Sequence, residues 1–160
     1  MLQILVALGE LGAVEPMARE ALADAERQGD LRSEHFAQHF LADCPLIRGD
    51  AASAAPRYQR ALALAVMLGD RSETAIEIQG VAMAAAGMSS PVRALTLGGA
   101  ASAEIDRLGL DLSGIRFWNT LLERYFSRAR QDLSAADAEA AWQAGRQMDF
   151  ERAINAALVV

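Results

Sequence analysis

Apolar positions fall at three- and four-residue intervals along most of the chain, and no stretch alternates with period two for long. That spacing lines one face of an α-helix and leaves the other polar. Leu2, Leu5, Val6 and Leu8 to Leu11 predict a first helix that opens without a cap, as though cut from a longer chain. Pro16 predicts the first turn of a second helix running to about Gln28, with Met17, Ala18, Ala21, Leu22 and Ala25 inward. A third, from Leu31 to about Ile47, buries Phe36, Ala37, Phe40, Leu41 and Cys44, and Pro45 loosens its last turn. A fourth starts near Ser53 and ends at Leu68, with Tyr58, Ala61, Leu62 and Ala65 inward. Asp70, Ser72 and Glu73 read as a capping box for a fifth helix that ends about Ala86. Ser90 and Pro91 open a sixth, which Gly109 stops.

Beyond Leu110 the apolar stripe widens. Ile115 to about Gln131 carries Phe117, Trp118, Leu121, Leu122, Tyr125 and Phe126. Ser134 then caps a helix that contains Trp142 and ends at Gly145, and Asp149 caps a last one with Ile154, Ala157 and Leu158.

These helices repeat. Ala21, Leu22, Ala23, Ala25, Gly29 and Asp30 recur forty residues on as Ala61, Leu62, Ala63, Ala65, Gly69 and Asp70. Pro16 and Pro56 hold the same offset, and Leu68-Gly69 recurs as Leu108-Gly109. A fixed period of this size marks stacked repeats. The reading is an all-α, single-domain chain: a partial repeat at 1–28, repeats at 31–68 and 71–108, and capping helices at 115–160. A stack exposes an apolar face at its end, and Trp118, Leu121, Leu122, Tyr125 and Trp142 supply the bulk to cover it.

Residues 31–68 resemble a tetratricopeptide repeat, an antiparallel helix pair that stacks into a solenoid. Leu41-Ala42 resemble the Leu and small residue of its first helix, Gly49-Asp50 the turn, and Ala54, Tyr58 and Ala61-Leu62 positions of its second. Residues 71–108 match more loosely through Val81-Ala82, Ala94 and Ala101, with Gly98 in the aromatic position. The segment from Ala141-Trp142 through Gly145-Arg146, Met148 and Ala153-Ile154 is similar to one closing the helical arrays of LuxR-type ATP-dependent regulators and cyclase-linked signalling proteins. The resemblance implies a TPR-like solenoid of period about forty with a C-terminal helical cap. It also implies a non-catalytic protein-interaction or sensor region of a larger bacterial signalling or transcription regulator. Such a region binds a peptide, a partner domain or the regulator's own upstream ATPase module on its concave face. The alternative is a free-standing scaffold acting as a homodimer.

Composition narrows the chemistry. A net charge of −6 disfavours nucleic acid and anionic membrane as partners. All fifteen basic residues are arginine, so P-loop and Schiff-base lysines are excluded. The single cysteine, Cys44, forbids an internal disulfide and fits a cytoplasmic setting. On an apolar face beside Phe40 and Leu41 it reads as an inert core thiol. No segment has the length of a membrane span.

His35, His39 and Asp43 stand at i, i+4 and i+8 on one face of the third helix. Imidazoles one turn apart can hold a metal, which makes a small metal-dependent enzyme a remote alternative. The bland reading is a polar, partly solvated stripe, so no catalytic residue, metal or cofactor is expected. In a repeat of this kind the first helix of each pair lines the concave groove. Phe36, His39, Asp43, Gln79 and Met83 are the expected lining, open at least in part to solvent.

Overall fold

The computed structural model describes the backbone of residues 2–159, and all of their side chains except those of Leu2, Gln3 and Ala7. The helices are α1 (Leu2–Ala7), α2 (Leu11–Gln28), α3 (Leu31–Ile47), α4 (Ala51–Met67), α5 (Arg71–Gly87), α6 (Pro91–Leu108), α7 (Arg116–Gln131), α8 (Ala135–Arg146) and α9 (Phe150–Leu158). The described residues contain no strand, in keeping with the all-α reading. None of the described helices is long and apolar enough to cross a membrane.

Helix starts obey a tighter period than the sequence repeat. From α2 to α6 they fall at Leu11, Leu31, Ala51, Arg71 and Pro91, every twenty residues. The chain turns between helices through left-handed backbone at Gly9, Gly29, Gly49, Gly69, Ser89 and Gly109, again twenty apart. Each turn closes the same way: Asp30, Asp50, Asp70 and Ser90 donate their amides to the carbonyls of Ala25, Pro45, Ala65 and Ala85. The three aspartates then cap the next helix by accepting backbone amides. Gly29, Gly49 and Gly69 thus end helices as expected.

Ser89, at φ 60°, is the exception to glycine in this series. A side chain there crowds the following carbonyl. Ser89→Gly is expected to stabilise the fold by about 0.5–1 kcal/mol, seen as a higher urea midpoint. A lower midpoint would mean that the serine does more at this turn than tolerate it.

Three boundaries differ from expectation. Pro16 and Pro56 are each the sixth residue of a helix rather than part of its first turn, because the left-handed residues at 9 and 49 set where α2 and α4 begin. Gly145 lies inside α8 and does not end it. The capping box is half made: the Asp70 carboxylate accepts the Glu73 amide, while the Asp70 amide goes to Ala65 and leaves the Glu73 side chain free for other contacts.

Helices α2 to α6 pack on one another in chain order, α8 packs along α6, and α9 lies across α4, α5 and α6. α5 is the centre of the molecule. From Thr74 to Ala86 all of its residues except Ile76 are buried, so it has no polar side to show. Gly80 lets the Tyr58 ring lie against it, since a Cβ there would sit 2.4 Å from Tyr58 Cδ1. Gln59 and Arg93 hold the end of α9 between α4 and α6 by donating to the Ala157 carbonyl.

α7 lies against the last repeat, as expected, and also folds back over earlier helices. It packs against α5 and α6 and reaches back to α1. Tyr125 Oη donates to the Leu46 carbonyl at 2.6 Å and Arg124 to that of Ile47 at 3.2 Å, so the helix stretches over the end of α3. α8, with Trp142 against Gly98, adds to that cover of α6, while Tyr125 of α7 also reaches the end of α3. Trp142 is half-buried, edge-on to Phe126 at 5.8 Å and under the Arg130 guanidinium.

At the other end, Val6 of α1 packs with Val14 and Cys44, while Ile4 and Leu8 are exposed and Leu5 is half-buried. Leu2, of the same apolar stripe, lies outside the described side chains.

Candidate functional site

The histidine stripe of α3 faces the buried middle of α5, and the two make a polar cluster within the fold. His35 and His39, one turn apart, both point at one oxygen of Glu77. His35 Nε2 is 2.9 Å from Glu77 Oε1 and His39 Nδ1 is 2.8 Å from the same atom. On the far side of the His39 ring, Nε2 lies 3.6 Å from Asp43 Oδ2. Tyr58, from α4, donates its hydroxyl to Asp43 Oδ1 at 2.6 Å. Trp118, from α7, closes the cluster: its indole lies tilted over His39 with centroids 5.4 Å apart and donates to Gln79 Oε1 at 2.8 Å.

The electrostatics follow from burial. A charge on enclosed His39 is costly, but the facing Glu77 and Asp43 carboxylates outweigh that cost, with Glu73 adding to them. Its pKa is pushed up to about 10, so the ring is an imidazolium at neutral pH. Burial also opposes the charge on Glu77, yet His39 and the hydrogen bond from His35 hold this carboxylate below its ordinary pKa. Burial pushes Asp43 up, with His39 and Tyr58 only partly offsetting it. Two carboxylate oxygens here, Asp43 Oδ2 and Glu77 Oε2, are buried without a hydrogen-bond partner. Burial raises Glu73 too, against the pull of His35.

Beside the cluster is a cavity of about 160 Å³, walled by Phe36, His39, Glu73, Ile76, Phe117 and Trp118 among others. His39 and Glu73 thus stand between this opening and the sealed carboxylate of Glu77.

The five residues expected to line an open groove divide accordingly. Phe36 is 38% exposed at the mouth of the cavity. His39 is on the cavity wall, its side chain only 12% exposed. Asp43, Gln79 and Met83 are buried, which corrects their assignment to a solvent-open surface. The reasons are local: Tyr58 and His39 enclose Asp43, Trp118 caps Gln79, and Met83 sits within the core on α5. His39 itself touches carboxylates and rings rather than apolar groups alone.

Glu73, Glu77, Tyr58 and Trp118 were not singled out as partners of the histidines. The signal for the first two was present. A forty-residue repeat sets 35 beside 75 and 39 beside 79, and the carboxylates at 73 and 77 flank those positions one turn apart. Nothing in the spacing points to Trp118, which depends on where α7 folds back.

Two other features carry less chemistry. A wider concavity of about 620 Å³ between α2, α3 and α4 is lined by Arg19, Arg48, Arg57 and Arg60. Each guanidinium already has a partner: Glu15 for the first two, Gln38 and Glu34 for the others. Cys44 is buried, and burial pushes its thiol up to about 11, so it is not a nucleophile at neutral pH. Compared with protein-family models, curated proteins and solved structures, the chain matches none.

Proposed function

We propose that the chain is a non-catalytic protein-interaction or sensor region of a larger bacterial signalling or transcription regulator, working in the cytoplasm and built of TPR-like antiparallel helix pairs. It takes a peptide or partner-domain segment on the side of α3 and α5, at the opening that α7 leaves uncovered. The observation that carries this reading is Phe36, a large aromatic side chain exposed at the mouth of an apolar-walled cavity. Exposed rings beside a pocket are the usual anchors of protein interfaces. The seating of α7 over α3 and α5 supports the same reading, because this side of the molecule already accepts a helix. A second reading, a free-standing scaffold that pairs with its own copy, is favoured by the exposed Ile4 on α1 and Leu8 just after it.

A photo-crosslinking amino acid at position 36, in the protein expressed in its source cells, tests this. One dominant cross-linked polypeptide is expected at 36 and none from exposed position 139 on α8. Phe36→Ala is expected to weaken capture of that polypeptide about tenfold or more. Equal cross-linking at both positions would refute a docking site at Phe36. Cross-linking to a second copy would favour the scaffold.

A further inference from the structure

One potential ligand atom from each of His35, Glu73 and Glu77 lies within 4.8 Å of the other two. They come from two helices, a histidine on α3 and an i, i+4 carboxylate pair on α5, so rigid backbone holds the set on both sides. Facing helices that each project carboxylate or imidazole groups inward are a recurrent way to build a metal site within a bundle.

A hydrogen-bonded ion-pair network would account for Glu77 Oε1, which the two imidazoles share. It does not account for Glu77 Oε2. That oxygen belongs to a side chain with no exposed surface and has no partner, in a cluster that also holds the carboxylates of Glu73 and Asp43. A buried carboxylate oxygen left unpaired is costly, and a cation is one remedy.

We propose that His35 Nε2, the Glu73 carboxylate and Glu77 Oε2 bind one divalent transition-metal ion, with zinc the ion that best suits an imidazole and two carboxylates. His35 ligates through Nε2 once its proton rests on Nδ1. Glu77 Oε1 stays hydrogen-bonded to His39 Nδ1, which orients the ligating carboxylate from behind, as outer partners do in metal sites. Glu73 also lines the 160 Å³ cavity, so ion and water reach the site from that side. The ion ties α3 to α5 next to Phe36 and acts as a clip on that surface. This holds whether or not the surface binds a protein.

The test uses untagged protein stripped with a chelator and dialysed. It is titrated with Co2+ as a spectroscopic probe and then challenged with Zn2+. One Co2+ per chain is expected, with the visible d–d bands of a low-coordinate site, stoichiometric displacement by Zn2+ and a higher melting temperature with metal than without. Glu73→Gln, a change at a half-buried side chain outside the Glu77–His39 pair, is expected to weaken binding at least about tenfold while the metal-free variant still folds and melts cooperatively. His35→Gln should do the same; if that variant fails to fold, Glu73→Gln alone decides. Failure to bind Co2+ or Zn2+ at millimolar concentration would overturn the proposal. So would an affinity that the Glu73 variant leaves intact, which would place the ion elsewhere on the acidic surface.

Discussion

Gly145→Ala is expected to destabilise the fold by about 3 kcal/mol or more, at or above the upper end for overpacking. α6 and α8 approach so closely that a Cβ at 145 would lie 1.9 Å from the Thr96 carbonyl oxygen and 3.0 Å from the Ala100 amide nitrogen. From the other helix, a Cβ at Gly99 would lie 2.3 Å from the Trp142 carbonyl oxygen. Every one of these neighbours is backbone, so no side chain can swing aside and the helices must separate. Separation would loosen Trp142 and Phe126, which pack edge-on at this junction. Urea unfolding should show the loss directly, and near-UV circular dichroism should show weaker tryptophan signals. Gly114→Ala is the control, because a Cβ there meets nothing within 4 Å. If both variants melt alike, the close contact of α6 and α8 is not what holds that end of the molecule.

Glu77→Gln is expected to cost about 3–5 kcal/mol at mildly acidic pH, the range for breaking a buried ion pair and stranding its partner. The variant keeps the shape but leaves the buried His39 charge with Asp43 and Glu73 alone. The pH dependence carries its own signature. His39 has its pKa raised from 6.5 to about 10, so its contribution is complete below 6.5 and is lost as pH rises through about 10. Glu77 has its pKa lowered from 4.5, so its contribution is present above 4.5 and is lost as pH falls through the depressed value. The parent protein should therefore lose stability steadily between pH 6.5 and about 10, measured by urea midpoints in the presence of chelator. Glu77→Gln should flatten that slope. An unchanged slope would show that His39 does not carry the charge assigned to it.

The helices were legible because their signals are local. Gly29, Gly49 and Gly69 stop helices through their own backbone freedom, and Asp30, Asp50 and Asp70 cap the next through atoms two or three residues away. The prolines misled for a related reason. Pro at position 16 or 56 is compatible with a first turn, but the turn residue before the helix decides where it starts. The site was half legible. His35, His39 and Asp43 could be placed on one face from their spacing, whereas their burial depends on α5 and α7. Glu77 and Trp118 are 42 and 83 residues beyond His35 in the numbering, too far for any local rule. Trp118 in particular reads as a terminal cap from its position late in the chain. It becomes a lid over His39 only because α7 folds back.

That fold-back changes how the molecule comes apart. In an array whose units touch only their neighbours, opening can begin at an end and travel inward one unit at a time. Here Tyr125 grips the Leu46 carbonyl across 79 residues, and Trp118 grips Gln79 across 39. The end of α3 cannot loosen without lifting α7, and α7 cannot lift without exposing α5. The amides of α3 and α5 should thus exchange with solvent only when the whole domain opens, as one cooperative unit. The same long loops close late, so the chain folds more slowly than a stack of local hairpins would. A segment able to displace α7 would release all of these restraints together.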